Sequence, residues 1–511
     1  MGGYDKMKRW TLRLIAGLLT TVSMLPAMTI TGHAAKAEAL VGYRGDVDGD
    51  MRLTGGDVIM LSQYLLGTIA LPDTKYADID GNGVLTASDL TLLKRVLLTG
   101  ESPEPVYQEI IFEDPTPDER IPAPVKALNP SLPSTGEVEV LMFTVNFPDC
   151  QFTEGYSSQQ VWELAFGPEN PQDPAYPMES ITAYYSRASY GMLHVNGEVY
   201  EYTAQNSINS YIDNTDALVE EVLRAFDAQL DYTKYDVDQN GEMDTLILAL
   251  PGTADKANWW PCSGGYYGWQ RFDEVRASNL LIGGWSLSDR SGFNSTWIHE
   301  MGHGMGLPDY YKYENYEGDE CYGLNGDAGW MMMDDALADM SCFDKLMYGW
   351  YDEDHVMVYD GGTKRYTLTS SQQEANCILI PRVREDGYYS EYFMIEYATH
   401  EGNNATWWLF RDGGIRVLHC QAEICEGWWG PEFKWNNYGM YYDTSNEKQR
   451  VLRLVNDYGG FFRHGDVISD QTEGFRWYDE NGDRTVETNL KITVEALPSG
   501  EYRLTITDVT A

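Results

Sequence analysis

The stretch Trp297-Ile298-His299-Glu300-Met301-Gly302-His303-Gly304-Met305-Gly306-Leu307-Pro308-Asp309 decides how this chain is read. It contains His-Glu-x-x-His. On a helix, residues four apart lie one turn above each other on the same face. His299 and His303 can therefore offer two imidazole nitrogens to one ion, with Glu300 beside them as a general base. Catalytic zinc takes three protein ligands and keeps one position open, so a third ligand is needed. Gly306 can adopt a positive φ and stop the helix. The chain can then double back and present Asp309 to the same ion.

The full string, His-Glu-x-x-His-x-x-Gly-x-x-Asp, resembles the metzincin pattern with aspartate in the last ligand position. A methionine turn below the metal goes with that resemblance. In Gly329-Trp330-Met331-Met332-Met333-Asp334, Met333 is the candidate and Met332 the next choice. Tyr310 and Tyr311 follow the zinc string directly, but neither is assigned as a donor to a reacting carbonyl.

Composition bounds the partners. With 36 basic and 79 acidic side chains the formal charge is −43, which disfavours nucleic acid and anionic membranes. At 43% hydrophobic residues the chain can still build several cores, so the acidity does not signify disorder. The N-terminus reads as an export signal over residues 1–39. Lys6, Lys8, Arg9 and Arg13 precede an apolar run at 14–24, and small residues follow with A-x-A at 37–39. A secreted, extracellular protein with no membrane association after signal removal is expected. The seven cysteines are sparse and odd in number, which does not suggest a disulfide framework; Cys420 with Cys425 and Cys321 with Cys342 are the candidate bridges.

Two similar units follow the signal. Asp46, Asp48, Asp50 and Asp57 repeat 32 residues later as Asp78, Asp80, Asn82 and Asp89. Oxygen side chains thus fall at loop positions 1, 3, 5 and 12, with the position-7 carbonyls from Arg52 and Val84. This is EF-hand calcium spacing, and an apolar helix follows each loop, at residues 58–66 and 90–98. The pair resembles a type I dockerin over residues 43–100. The resemblance implies bound calcium, attachment to a cohesin-bearing scaffold protein and membership of a cellulosome. One departure is Met51, which stands where the tight turn at position 6 usually has glycine.

Residues 101–136 are rich in proline and read as a semi-rigid linker. Beyond it, Val138-Glu139-Val140-Leu141-Met142-Phe143-Thr144-Val145-Asn146-Phe147 predicts a core strand, residues 182–192 a helix ending at Gly191, residues 216–229 an amphipathic helix, and residues 245–250 a strand. Before that last strand, Asp236, Asp238, Asn240 and Asp244 form a further candidate calcium loop; position 12 would be Ile247, so it is not an EF-hand. Alternating runs after residue 360 predict β structure, His419 and His464 read as structural rather than metal-binding, and the tryptophan pairs at 259–260, 407–408 and 428–429 read mainly as packing residues.

Several segments together resemble the M6 peptidase family of the immune inhibitor A type: Phe143 to Pro148, Tyr184 to Gly191, the Asp236 loop, the zinc string through Tyr310, Gly329-Trp330, Tyr348-Gly349-Trp350, Glu391 to Glu396 and Gly413 to His419. The likeness implies a secreted zinc endopeptidase with structural calcium. In it His299, His303 and Asp309 are zinc ligands, Glu300 is the base, and an edge strand ahead of the zinc helix, placed at 279–287, pairs with an extended peptide. Met331 departs from the family, which often has an acidic residue there.

The expected architecture is therefore multidomain α+β: a small all-α calcium-loop dockerin, a metzincin-like zinc peptidase domain at 137–360 and a β-rich C-terminal domain at 361–511. The expected function is that of a zinc metalloendopeptidase tethered by its dockerin. A calcium-dependent docking protein with a non-catalytic zinc domain is the alternative.

Overall fold

A computed structural model describes residues 36–509, apart from residues 72, 111–130, 253–258, 260, 311–330, 335–336, 352, 384–385, 406–409, 427–430, 436–448 and 457–459. The export signal up to residue 35, the middle of the linker, Tyr311, Cys321, Gly329, Trp330 and the tryptophans at 260, 407–408 and 428–429 lie outside the described residues.

In chain order, β1 (Lys36–Tyr43) and β2 (Pro105–Glu109) bracket the helices Gly55–Leu65 and Ala87–Thr99. Next come β3 (Gly136–Asn146), β4 (Leu193–Thr203), β5 (Thr245–Leu250), β6 (Cys262–Gly265) and β7 (Asn279–Gly284). They form one sheet in the order β4-β3-β5-β7-β6, parallel except for β6. Side chains alternate across a pleated strand, and both faces here are apolar. Val138, Val140, Met142, Ile247, Ala249 and Leu281 face a core that includes Phe293, Trp297, Ile298 and Met301 of the helix Arg290–Gly304. Leu141, Phe143, Val145, Leu246, Leu248 and Ile282 face the opposite core, with Leu218, Val219, Val222 and Leu223 of the helix Thr215–Phe226. Burial on both faces is why β3 and β5 read as apolar runs rather than as alternation.

The C-terminal strands make two further sheets. β8 (Val356–Val358), β10 (Cys377–Pro381), β11 (Glu391–Ala398), β12 (Gly414–Gln421) and β15 (Leu452–Leu454) form one, in the order β15-β12-β11-β10-β8. β9 (Thr363–Leu368), β16 (Val467–Ser469), β19 (Leu490–Ala496) and β20 (Tyr502–Asp508) join β1 and β2 in the other, in the order β16-β19-β20-β9-β1-β2. The five-stranded sheet lies between two cores. Leu379, Met394, Leu418 and Cys420 pack toward the helix Arg290–Gly304 and its neighbours, whereas Ile378, Phe393, Ile395 and Val417 pack toward the six-stranded sheet. Small hairpins β13–β14 (Ile424–Glu426, Pro431–Phe433) and β17–β18 (Trp477–Tyr478, Arg484–Val486) complete the set.

These observations correct the expected fold class. Among the described residues the fold is predominantly β, with 23% helix and 30% strand. The calcium-loop unit is not an all-α domain, because strands β1 and β2 frame it and carry it into the C-terminal sheet. Nor is there a separate metzincin-like domain: the core around the His299 helix runs without a break across residue 360 into β10, β11, β12 and β15. The five residues of His-Glu-x-x-His constrain one helix and say little about the topology that surrounds it. The expected edge strand at 279–287 is corrected too. β7 is flanked by β5 and β6, so among the described strands the edge on this side of the sheet is Cys262–Gly265. Neither expected bridge forms, since Cys420 and Cys342 are buried free thiols.

One buried ion pair ties the layers together. Lys345 is fully buried and donates to Asp339 Oδ2 (2.8 Å), Tyr190 Oη (3.0 Å) and the Ser371 carbonyl (3.1 Å). Removing one partner strands a buried charge. Lys345→Ala should lower unfolding stability in denaturant titration by about 3–5 kcal/mol; a change below about 1 kcal/mol would show that the pair does not hold the layers.

Candidate metal centre

The helix Arg290–Gly304 is anchored at several points. Asp289 caps its N-terminus by accepting from the Gly292 N–H (3.1 Å). Asn294 Nδ2 donates to the carbonyls of Leu164 (2.9 Å) and Met178 (2.8 Å), and Tyr185 Oη donates to the Ile298 carbonyl (2.6 Å). At the C-terminus Gly306 takes φ +105°. Its N–H donates to the His303 carbonyl (2.8 Å), and the Leu307 N–H to the Gly302 carbonyl (3.3 Å). This is the Schellman pattern, which satisfies the last carbonyls and reverses the chain. The N–H groups of Ser131 and Leu132 complete the set by donating to the Gly304 carbonyl (2.9 and 3.0 Å).

The reversal brings Asp309 back beneath the two histidines. Asp309 Oδ1 lies 2.7 Å from His299 Nε2 and 3.3 Å from His303 Nε2. One donor atom from each of the three residues falls within 4.8 Å of the others, a grouping that can hold a metal ion. The opposite ring nitrogens are committed to backbone: His299 Nδ1 to the Met332 carbonyl (2.9 Å), His303 Nδ1 to the Leu307 carbonyl (2.8 Å). A carbonyl only accepts, so each Nδ1 carries the proton, and in the neutral rings each Nε2 keeps its lone pair for a cation. Two imidazoles and a carboxylate therefore fit a divalent transition metal by both distance and tautomer.

Electrostatics follow from this closeness. Burial alone would lower the His299 pKa, but the Asp309 carboxylate more than offsets it and raises it to about 9. Burial would raise the Asp309 carboxyl, yet the two imidazoles hold it well below the usual range. Glu300, the residue after His299, is 8% exposed. Burial raises its pKa, while the imidazoles pull the other way. Glu300 Oε2 accepts from the Ser263 N–H on β6 at 2.5 Å.

Met333 sits under the helix. A Cβ on Gly302 would run into its Sδ, so a larger residue there would force Met333 to shift. The Met333 carbonyl accepts from the Tyr310 N–H (2.9 Å), and Tyr348 Oη donates to the Gly302 carbonyl (3.0 Å). Tyr310 is engaged away from the candidate ligands: its hydroxyl donates to Asp344 Oδ1 (2.8 Å) in the core. His419 bonds Glu391 (2.8 Å) and stacks on Phe393 and Tyr478, far in role from any metal grouping. His464 Nδ1 accepts from the Ala496 N–H (3.2 Å). The contributions of Ser263, Met332 and Leu307 come from backbone atoms, for which the sequence carries no signal.

The repeated loops have matching geometry. Asp46, Asp48 and Asp50 converge in the first, and Asp78, Asp80 and Asp89 in the second. Asp57 and Asp89, both fully buried, each accept from the loop's second N–H (Val47, 2.7 Å; Ile79, 2.9 Å) and from the N-cap N–H of the following helix (Thr54, 2.7 Å; Thr86, 2.8 Å). Arg52 donates its N–H to Asp50 (2.9 Å) and Val84 to Asn82 (2.8 Å) at the seventh positions. The loop at Asp236 repeats the same turns. The N–H groups of Asn240 and Gly241 donate to Asp236 (2.9 Å each), the N–H of Asn240 also reaches Asp238 (3.1 Å), and Asp244 accepts from Val237 (3.3 Å) and Glu139 (3.0 Å). Burial pushes the Asp244 carboxyl up to about 6.

At the sixth position Gly83 has φ +81° and Met51 φ +65°. A non-glycine residue in this region costs roughly 1–2 kcal/mol. Met51→Gly should therefore tighten calcium binding to the first loop by about tenfold in a calorimetric titration; equal or weaker binding would show that the turn is not what limits it.

No curated protein matches the chain in a sequence comparison. The dockerin type I domain family matches residues 44–98, the segment that carries both loops and both capped helices. Dockerins bind calcium. Residues 44–98 are a type I dockerin domain.

Proposed function

We propose that the chain is a zinc-dependent endopeptidase of the M6, immune inhibitor A type, exported and held on a cohesin-bearing scaffold by its dockerin. The observation that carries the catalytic reading is the convergence of His299 Nε2, His303 Nε2 and Asp309 Oδ1 within 4.8 Å, with Glu300 next to His299 on the same helix. His299, His303 and Asp309 would hold the zinc. Zinc bound there supplies Lewis acidity and brings the pKa of water to about 7.

Glu300 takes the proton of the attacking water and delivers it to the leaving amine. Its partial burial favours this exchange, because a carboxylate with a raised pKa returns a proton readily. The Ser263 N–H fixes the direction of the carboxylate. An extended peptide can add to the outer edge of β6 through backbone hydrogen bonds, which brings it past Glu300. The net charge of −43 agrees with a protein or peptide substrate rather than nucleic acid. Among the described residues no helix is long and apolar enough to cross a membrane.

The direct test is Glu300→Gln. Zinc content should stay at one ion per chain while casein hydrolysis falls by at least ~100-fold; unchanged turnover would remove Glu300 from the mechanism. Chelation should abolish hydrolysis, and zinc added back in the presence of calcium should restore it. Calcium must be supplied because chelators also empty the dockerin loops. Restoration by calcium alone would remove zinc from the mechanism, and no hydrolysis at any metal loading would point instead to a docking protein with a non-catalytic metal centre.

A further inference from the structure

The two ends of strand β1 have different partners, β9 at the start and β2 at the end, and Glu38 and Ala39 pair with both. Residues 36–39 pair with β9 in the C-terminal sheet: Lys36 with Thr367, Ala37 with Tyr366, Glu38 with Arg365 and Ala39 with Lys364. Residues 40–43 take no part in that ladder and belong to the dockerin side. The Val41 carbonyl accepts from Tyr76 Oη (3.1 Å), and the Arg44 N–H donates to the Glu104 carbonyl (2.8 Å). β2 pairs with β1 and lies at the outer edge of the sheet.

The hydrophobic cores divide at the same place. The dockerin core draws on Val47, Leu61, Ala77 and Leu93, with Leu53, Ile79 and Leu97 around them. Ala37, at 1% exposure, belongs instead to the core between the two C-terminal sheets, beside Tyr366, Ile378 and Leu504. Ile110 packs on that core as well, and its N–H donates to the Ala37 carbonyl (2.8 Å). The Arg365 guanidinium lies 3.5 Å over the Tyr107 ring. Residues 36–39 of β1, with Tyr107 and Ile110 on the β2 side, therefore hold the dockerin to the C-terminal sheet.

Those four residues include the A-x-A segment at 37–39, read from sequence as the end of the export signal. We infer that residues 36–39 are a clasp fixing the dockerin to the C-terminal sheet, and that hydrolysis of the Ala39–Leu40 bond releases it. In that step water splits the amide, leaving a carboxylate on Ala39 and an ammonium on Leu40. Cleavage upstream of Lys36 keeps the dockerin as a fixed head. Cleavage after Ala39 removes every β1–β9 pair, makes that side of β9 an edge with unpaired backbone groups, and leaves the Tyr107–Arg365 contact and the Ile110 packing to hold a looser dockerin. The processing position thereby sets how freely the enzyme moves once it is docked. This holds whether or not the metal centre is catalytic.

The test compares chains that begin at Lys36 and at Leu40, each after an initiator methionine and each loaded with calcium. Hydrogen exchange at residues 363–367 reads the clasp, and small-angle scattering reads the spread of dockerin positions. The longer chain should protect the β9 amides that face β1 and give a narrow pair-distance distribution. The shorter chain should exchange those amides at least ~10-fold faster and give a broader distribution. Both should bind the same number of calcium ions, because the dockerin core lies entirely within residues 47–97. Ala37→Asp in the longer chain, which puts a charge into the core, should reproduce the shorter chain. Identical exchange and scattering in the two chains, or loss of calcium binding in the shorter one, would overturn the inference.

Discussion

The geometry of the centre depends on how one helix ends. His299 and His303 are set by helical spacing, but Asp309 reaches them only because the chain reverses at Gly306, with φ +105°. A side chain there would be strained, and a reversal even one residue later would carry Asp309 away from the imidazoles. The two Schellman hydrogen bonds and the pair from Ser131 and Leu132 to the Gly304 carbonyl hold the reversal in place. The Met332 and Leu307 carbonyls then fix both imidazole tautomers. Ligand geometry and helix capping are thus one structure, built from backbone groups that would otherwise be left unpaired.

The same economy is found in the dockerin loops. Asp57 and Asp89 each end a calcium loop and begin a helix, with one oxygen on the loop's second N–H and the other on the N-cap N–H. A small module with so little apolar core depends on such shared groups and on bound metal. Asp244 accepts N–H bonds from Val237 and from Glu139 on β3, so the third acidic turn is joined directly to the central sheet.

Much of this was legible in the sequence. The spacing of His299, His303, Gly306 and Asp309 anticipates both the helix and the reversal. The repeat at Asp46 and Asp78 anticipates the paired loops, and the apolar runs at 138–147 and 245–250 fall on β3 and β5. What escaped is long-range. Nothing in the spacing of β1 announces that Ala37 lies beside Tyr366, more than three hundred residues away, so the dockerin looked self-contained and all-α. The β10–β12 segments read as strands, but not as a layer buried on both faces, and a domain boundary therefore fell where the core is continuous. β7 read as an edge because Cys262-Ser263-Gly264-Gly265, the true edge, is short and glycine-rich and carries little strand propensity. Ser263 acts on Glu300 through its N–H, which any residue but proline would supply.

The central claim is that one zinc ion is held by two imidazole nitrogens and one carboxylate oxygen at the end of this helix. X-ray absorption at the zinc edge, on calcium-loaded protein containing one zinc per chain, tests it most directly. The account predicts a first shell of nitrogen and oxygen only, at about 2.0–2.2 Å, with imidazole outer-shell scattering that disappears when His299 and His303 are both replaced by alanine. A shell containing sulfur at about 2.3 Å, or one unaltered by that double replacement, would place the metal elsewhere and contradict it.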